Sequence, residues 1–305
     1  MISMRAAMIH ETGGPEVLGI EEVERPEPAE GEALVRVCAA SVNPIDWKLR
    51  KGFREMPLPA LLGNDVSGVV ELSRAPGFAA GDEVFGIAAE GAYAEYVTVG
   101  AEAIVAKPAA IGHEQAAAIP VSGMTAWQAL FDHGGLQSGQ TALVAGAAGG
   151  VGHFAVQLAK HAGARVIGTG SARNREFVLS LGADEFLDYT RVDVAETASD
   201  VDVAFDTVGG ATTEPLLSTL RPGGVLVTIA NAPPVDAASA LGVRAALMSM
   251  DIHAEQLAEI AELVASGAVR VEIASTFPLA DVAQAHALSE AGHTRGKLIL
   301  AIAAS

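Results

Sequence analysis

The chain is short of the residues from which disulfide frameworks and metal centres are built: its 305 residues include one cysteine, Cys38. A single thiol excludes an internal disulfide framework and a cysteine-built zinc site. Basic residues are scarce as well, 19 against 37 acidic ones, for a formal net charge of −18. That charge opposes nucleic acid and anionic membranes as partners, and it makes any basic residue near a turn stand out. No apolar run reaches the length of a membrane span. The opening Met1-Ile-Ser-Met-Arg-Ala-Ala-Met8 has no signal-peptide core or cleavage site, so a reducing cytoplasm is expected. Internal repeats, low-complexity tracts and long flexible linkers are absent too. Half of the residues are hydrophobic and 18% are charged, as in a soluble globular protein, and the length suits two domains.

What is present is concentrated in Thr141-Ala-Leu-Val-Ala-Gly-Ala-Ala-Gly-Gly-Val-Gly152, followed by His153-Phe-Ala-Val-Gln-Leu-Ala-Lys160. An apolar, strand-forming run breaks into a turn of small residues and restarts with helical periodicity. A strand, a tight turn and a helix N-terminus make the device that holds a dinucleotide pyrophosphate. Gly149 lets the backbone approach the phosphates and Gly152 lets helix and strand pack closely. Gly150 and Val151 complete the turn, and Ala147 stands where the first glycine of G-x-G-x-x-G would be. An ordinary strand-to-helix connection would read similarly, but a second strand, Arg165–Thr169, arrives at the spacing of a βαβ unit.

An NAD site usually carries Asp or Glu at the end of that second strand, to accept from the ribose 2′-hydroxyl. Here the position is Gly170, followed by Ser171-Ala-Arg173-Asn-Arg175. With no carboxylate to repel a 2′-phosphate, and with a hydroxyl and guanidinium groups to bind one, the expected cofactor is NADP(H). Ser171 and Arg173 come first after the strand and are the expected contacts. The alternative is that Arg173 and Arg175 merely decorate the next helix.

Up to about residue 120 the chain reads as β-rich, with runs such as Ala33–Cys38, Val66–Glu71 and Ala94–Val99 between turns. Helices are expected over Gly112–Ala118 and Ser122–His133. From Thr141 strands at Thr141–Ala145, Arg165–Thr169, Glu185–Asp188, Asp202–Asp206, Val225–Ile229 and Arg244–Met250 alternate with helices. These helices include Gly150–Ala162 and Arg173–Leu181. The alternation predicts an α/β, doubly wound parallel sheet. An amphipathic helix over Ala254–Ser266 follows, then strands at Val269–Ala274 and Lys297–Ile302 around a helix at Leu279–Ala291. The closing β-structure predicts a return to the first domain.

Several motifs occur in a fixed order: Gly13-Gly-Pro-Glu-Val-Leu18, Ala40-Ser-Val-Asn-Pro-Ile-Asp46, Leu62-Gly-Asn-Asp-Val-Ser-Gly-Val-Val-Glu71 and Gly81-Asp-Glu-Val-Phe-Gly86. Val121-Ser-Gly-Met-Thr-Ala-Trp127, the small-residue turn, Leu181-Gly-Ala-Asp-Glu185 and Arg295-Gly-Lys-Leu-Ile299 complete the series. Together they resemble, essentially end to end, the zinc-independent quinone oxidoreductase branch of the medium-chain dehydrogenase/reductase superfamily. The resemblance implies a Rossmann domain over 121–266 that binds NADP(H), and a β-rich GroES-like catalytic domain over 1–120 and 267–305. It also implies a homodimer joined through edge strands around Arg244–Met250.

Zinc alcohol dehydrogenases of the superfamily supply Cys, His and Cys to a catalytic metal. The matching positions here hold Asn43, Asn64 and Val121, and neither amides nor an aliphatic chain replace thiolate and imidazole. No metal is therefore expected, and without a Lewis acid alcohol oxidation loses its alkoxide stabiliser. What remains is hydride transfer to a quinone or an α,β-unsaturated carbonyl. The tyrosines that many relatives carry at Lys48 and near Arg54 are missing. Asn-Pro-x-Asp-x-Lys looks instead like the enone and alkenal reductases of the branch.

The implied catalytic group is Asn43, Asp46 and Lys48. Asn43 would be a neutral hydrogen-bonding group. Lys48 could pair with Asp46, contact the nicotinamide ribose, polarise the substrate carbonyl, or lie solvated at the surface. Asn64 and Asp65 could satisfy each other's turn. The implied cofactor contacts are Thr125, at the opening of the helix that enters the nucleotide domain unless it only caps that helix, and Tyr189 beside the adenosine 2′-phosphate. Val208, Gly209 and Asn231 would border the ribose and nicotinamide, and Lys297 would reach a cofactor phosphate. His153, His161, His253 and His286 show no metal spacing and read as structural or exposed. Two other functions fit the same motifs: an enoyl-thioester or biosynthetic ene reductase, and an NADPH-binding protein with little turnover.

Overall fold

The computed structural model describes residues 2–89 and 91–302. The chain groups into two compact units, Met1–Val121 with Ile252–Ser266 and Val271–Ser305, and Ser122–Asp251 with Gly267–Arg270. The expected division ran 1–120 with 267–305 and 121–266. It differs chiefly in the helix Ala254–Ala265, which belongs to the first unit.

The second unit is a six-stranded parallel sheet. Its spatial order is Glu185–Asp188, Arg165–Gly170, Thr141–Ala145, Val201–Asp206, Leu220–Thr228, Arg244–Leu247. Ala142, Leu143, Val144 and Ala145 are fully buried, which explains why the central strand reads as an unbroken apolar run rather than an alternating one. The order reverses between Thr141–Ala145 and its neighbour Val201–Asp206, the switch point where ligands of open parallel sheets bind. The helix Gly152–His161 follows the central strand, and all of its residues except Lys160 and His161 are buried.

Two expected strands end elsewhere, for related reasons. Arg244–Met250 stops at Leu247 because Asp251 is taken by the side chain of Gln128, whose amide donates to the Asp251 carbonyl at 2.8 Å and accepts its N–H at 2.9 Å. Gln157 holds Arg270 in the same two-point manner, at 2.9 and 2.7 Å. The strand expected over Val269–Ala274 accordingly forms later, as Ile273–Pro278. The helix expected over Ser122–His133 begins earlier, at Pro120, and runs to Trp127 before widening into a π-type turn over Gln128–His133.

The first unit is built on a seven-stranded sheet around the long strand Glu32–Val42. One side of that strand pairs with Asp65–Ser73. The other side is shared between Tyr96–Gly100 near its start and Lys297–Ala301 near its end. A three-stranded sheet of Gly19–Glu24, Ser3–Ile9 and Ala60–Leu61 completes the β-structure. Beyond Val42 the chain turns into the helix Pro44–Arg50. Pro44 supplies the fixed φ of a first helical residue, and Asp46 accepts the Asn43 N–H at 2.7 Å, the backward half of a capping box. Leu298 lies opposite Val42 in the ladder, so Lys297 is delivered to the end of the long strand.

Candidate functional site

Chemistry-bearing residues gather in two constellations, one within each unit. In the second unit the central strand ends at Ala145 and the turn is made by Gly146, whose φ of +75° few L side chains adopt. Gly146, rather than a residue at position 147, thus performs the tight turn of the fingerprint. Ala147 is fully buried and gives its N–H to the Thr169 carbonyl at 3.0 Å, so it is not placed as a cofactor contact. A Cβ on Gly152 would lie 2.1 Å from the Gly146 carbonyl oxygen. That close approach lets the helix start directly above the strand. At Gly149 a Cβ would meet one atom within 4 Å, the Gly146 oxygen at 3.3 Å. The space above Gly149 is therefore open, a cradle that a side chain would fill. Gly150, Val151 and Gly152 stand ahead of the helix's first bonded N–H, that of His153, which reaches the Gly149 carbonyl at 3.0 Å. His153 is buried, with its Nδ1 2.9 Å from the same carbonyl.

Ser171 follows the strand Arg165–Gly170 and opens a short 3-10 turn over Ala172–Asn174, with Arg173 exposed on it. Arg175 turns away, donating to the Phe186 carbonyl at 3.3 Å with its guanidinium 5.8 Å from the Phe186 ring centre. Tyr189 is 55% exposed and its N–H donates to the Gly170 carbonyl at 3.3 Å, which places it beside Ser171. Val208 is exposed too, whereas Gly209 has a φ of +79° and a Cβ there would lie 2.4 Å from Asn231 Oδ1. Asp206, which the sequence reading passed over, shapes this turn. Buried at the end of its strand, it accepts the N–H groups of Val208 and Gly209 at 2.9 Å each and the Thr213 hydroxyl at 2.6 Å. Asn231 accepts the Gly210 N–H at 2.7 Å and so holds the loop from the far side. Thr125 is buried inside the helix Pro120–Trp127 and not at its opening, so capping does not explain it.

In the first unit a buried polar network surrounds Asn43, which is 2% exposed. Its Nδ2 donates to Asp65 Oδ2 at 2.8 Å and its Oδ1 accepts from Lys297 Nζ at 2.5 Å. Asp65 takes the Ser41 hydroxyl on the same oxygen, the Val121 N–H at 2.8 Å on the other, and faces the Lys297 ammonium at 3.6 Å. Lys297, expected to reach a cofactor phosphate, is only 3% exposed and committed to this pair. Burial holds its ammonium below the usual lysine range, opposed by Asp65 and Asp46. Nor does Asp65 close a turn with Asn64. Asn64 donates to the Ala88 carbonyl at 3.3 Å.

Asp46 lies at the other edge of the network. Its Oδ2 accepts the Asn43 N–H and, at 2.6 Å, the Tyr93 hydroxyl, while its buried Oδ1 has no partner among the described residues. Burial pushes Asp46 up to about 7, against the pull of those two donors. Tyr93 is raised well above the usual phenol range by burial and by the Asp46 carboxylate. Lys48 does not pair with Asp46; partly exposed, it sits 5.8 Å from the Trp47 ring centre. Two residues apart on a helix, the side chains point in different directions.

Tyr93, Ser41 and Asp65 are the members that sequence reading missed or misplaced. A tyrosine in a chain with only three, and a lysine opening an apolar strand, were the available signals. Behind Tyr93, His286 packs edge-on at 5.7 Å and is pushed down to about 3 by burial and the neighbouring Arg50 guanidinium. Arg50, fully buried, joins it to Glu290 at 2.5 Å. Among the described residues no three His, Cys, Asp or Glu side chains are grouped to hold a metal ion. Among the described residues no helix is long and apolar enough to cross a membrane.

Residues 29–109 match the family model of an alcohol dehydrogenase GroES-like domain, and residues 181–300 that of a zinc-binding dehydrogenase. The second match contains none of positions 43, 64 and 121, so its name says nothing about metal there. The chain is 37% identical to a chloroplast envelope quinone oxidoreductase homolog of Arabidopsis thaliana, over 97% of this chain and 98% of that protein. It is 33% identical to the NADPH-dependent alkenal/one oxidoreductase, chloroplastic, of the same plant, over 97% of this chain and 79% of that one. The structure superposes on Escherichia coli quinone oxidoreductase complexed with NADPH with a TM-score of 0.91 at 32% identity, over 97% of this chain and 99% of that one. The parallel nucleotide-type sheet, the GroES-like unit and these end-to-end likenesses agree: the chain belongs to the quinone oxidoreductase branch of the medium-chain dehydrogenase/reductase family.

Proposed function

We propose that the protein is an NADPH-dependent oxidoreductase that reduces quinones or α,β-unsaturated carbonyls without zinc. The observation that carries this reading is the buried neutral amide of Asn43, held between Lys297 and Asp65, at a position where zinc relatives place a thiolate. Asn43, Asn64 and Val121 offer no donor set for zinc, so the residues do not fit that metal.

Residues of the second unit fit a dinucleotide. The open cradle at Gly149 and the N–H groups of Gly150, Val151 and Gly152 suit a pyrophosphate. Ser171, Arg173 and Tyr189 would hold the 2′-phosphate end, and Val208, Gly209 and Asn231 the ribose and nicotinamide. Thr125 is kept as a further contact. When bound, NADPH supplies a hydride to the electron-poor carbon of the acceptor. Asn43 is proposed to meet the charge that then grows on the acceptor oxygen. An amide nitrogen has two N–H groups, and Asp65 takes one from Asn43. The second would donate to that oxygen. Lys48 is proposed as an outer contact of substrate or cofactor, and Asp46 as the group that fixes the Asn43 backbone.

The decisive assay follows NADPH oxidation with benzoquinones and alkenones. Turnover with either class, and a preference for NADPH over NADH, is expected. Uniform inactivity with tight NADPH binding would refute an enzymatic role, and stoichiometric zinc by elemental analysis would refute the metal-free reading. A cytoplasmic homodimer is also proposed. Arg244–Leu247 lies at the edge of its sheet with Leu247 54% exposed, a strand suited to pairing with a second copy.

A further inference from the structure

Asn43 is held at three points, and the two on its side-chain amide are ions that tolerate only one orientation. An ammonium can only donate, so it must face the amide oxygen; an ionised carboxylate can only accept, so it must face the amide nitrogen. Lys297 Nζ lies 2.5 Å from Oδ1 and Asp65 Oδ2 lies 2.8 Å from Nδ2. Turning the amide over would set donor against donor and acceptor against acceptor. The third point is the backbone N–H, given to Asp46.

The two ions are themselves anchored. Asp65 receives Ser41 on one oxygen and the Val121 N–H on the other. Lys297 is fixed through its strand, its own N–H donating to the Glu272 carbonyl at 2.8 Å and the next residue pairing with Val42. Lysine is among the residues least often buried, and an apolar pair of similar volume would stabilise a core at least as well. A fully buried lysine and aspartate that converge on one neutral amide therefore call for a reason other than stability.

We propose that Lys297 and Asp65 are positioning residues that lock the Asn43 amide with its second N–H presented to the reducible oxygen of the substrate. This rests on the function proposed above. Asn43 is the group that touches substrate; Lys297 and Asp65 act only through it.

The test is a double-mutant cycle on the holoenzyme, with Asn43→Ala, Lys297→Met and the pair combined. Steady-state kinetics with a benzoquinone and an alkenone are read alongside NADPH titration by fluorescence. Each single variant should lose about 10²-fold in kcat, the loss typical of one removed oxyanion donor. Quinone KM and NADPH affinity should change less than about threefold, because the lost contact forms only as charge develops. The double variant should be no slower than Asn43→Ala, since Lys297 has nothing left to orient. Lys297→Arg, which still donates to Oδ1, should keep most of kcat. If Lys297→Met does not fold, Lys297→Ala, which removes the donor without adding bulk, carries the same cycle.

Losses that multiply in the double variant, or an unchanged kcat in Lys297→Met, would overturn the positioning role while leaving the function intact. A wild-type enzyme inactive towards both acceptor classes would overturn the function, and this proposal with it.

Discussion

The two constellations solve opposite problems with opposite materials. The turn after Thr141–Ala145 is made almost entirely of backbone: Gly146 bends it, Gly149 leaves it open, and Gly152 brings the helix to 2.1 Å of a would-be side chain. Its electrostatics come from aligned peptide groups, which need no titratable residue and no partner distant in sequence. The Asn43 network is made of side chains, with Asp46, Asp65, Tyr93 and Lys297 all buried in one unit. Preorganisation through backbone is robust and local; through buried charge it is specific, and any missing member leaves the others exposed to a low-dielectric interior.

That contrast is open to attack at both ends. The largest effect is expected from Asp65→Ala, which takes away the acceptor of Ser41, Asn43 and Val121 and the carboxylate opposite Lys297. Breaking a buried pair on one side should cost about 3–5 kcal/mol, read by urea unfolding. Gly152→Ala should cost about 1–3 kcal/mol through overpacking against the Gly146 carbonyl, and weaken NADPH binding with it. A fully stable Gly152→Ala protein would mean that the backbone turn is more pliable than its geometry states.

The pH dependence sharpens the comparison further. Asp46 is raised from 3.8 to about 7, so between those values the folded protein binds more protons than the unfolded chain, and stability falls as pH rises. His286 is lowered from 6.5 to about 3, so across that window the folded protein binds fewer protons, and stability rises with pH. The two oppose each other in the wild type. Asp46→Asn should unmask a melting temperature that climbs from pH 4 to 6.5, and His286→Asn one that declines towards pH 7. Scanning calorimetry across that range decides it. The smallest effect belongs to Arg173→Ala. It should raise the NADPH Michaelis constant about tenfold, as for the loss of one charge-assisted contact, and leave NADH unchanged.

Legibility in the sequence followed the same division. Thr141–Ala145 and Glu185–Asp188 form with the expected bounds because an apolar segment, Phe186-Leu187 in the second, is closed by turn residues a few positions away. Val225–Ile229 forms as the longer Leu220–Thr228, and two other strand limits moved where a side chain replaced a ladder partner. Gln128 reaches across 123 residues to Asp251 and Gln157 across 113 to Arg270, and no periodicity records such clasps. Thr125 was misplaced within its helix because Pro120, a favourable first residue, starts that helix early. The role of Lys297 was illegible for the same reason of distance: its partner Asn43 lies 254 positions earlier. Asn43 and Asp46 entered through the family motif; the capping box that joins them spans only three positions and went unread.

The late arrival of Lys297–Ala301 also has a bearing on biosynthesis. While the chain is being translated, the Ala39–Val42 half of the long strand has no neighbour on one side, and Asp65 no ammonium, until that segment emerges. The parallel sheet, whose strands lie between Thr141 and Leu247, is finished well before then. The unit begun first on the ribosome is thus completed last, and its open strand edge is where a nascent chain most needs shielding from its neighbours.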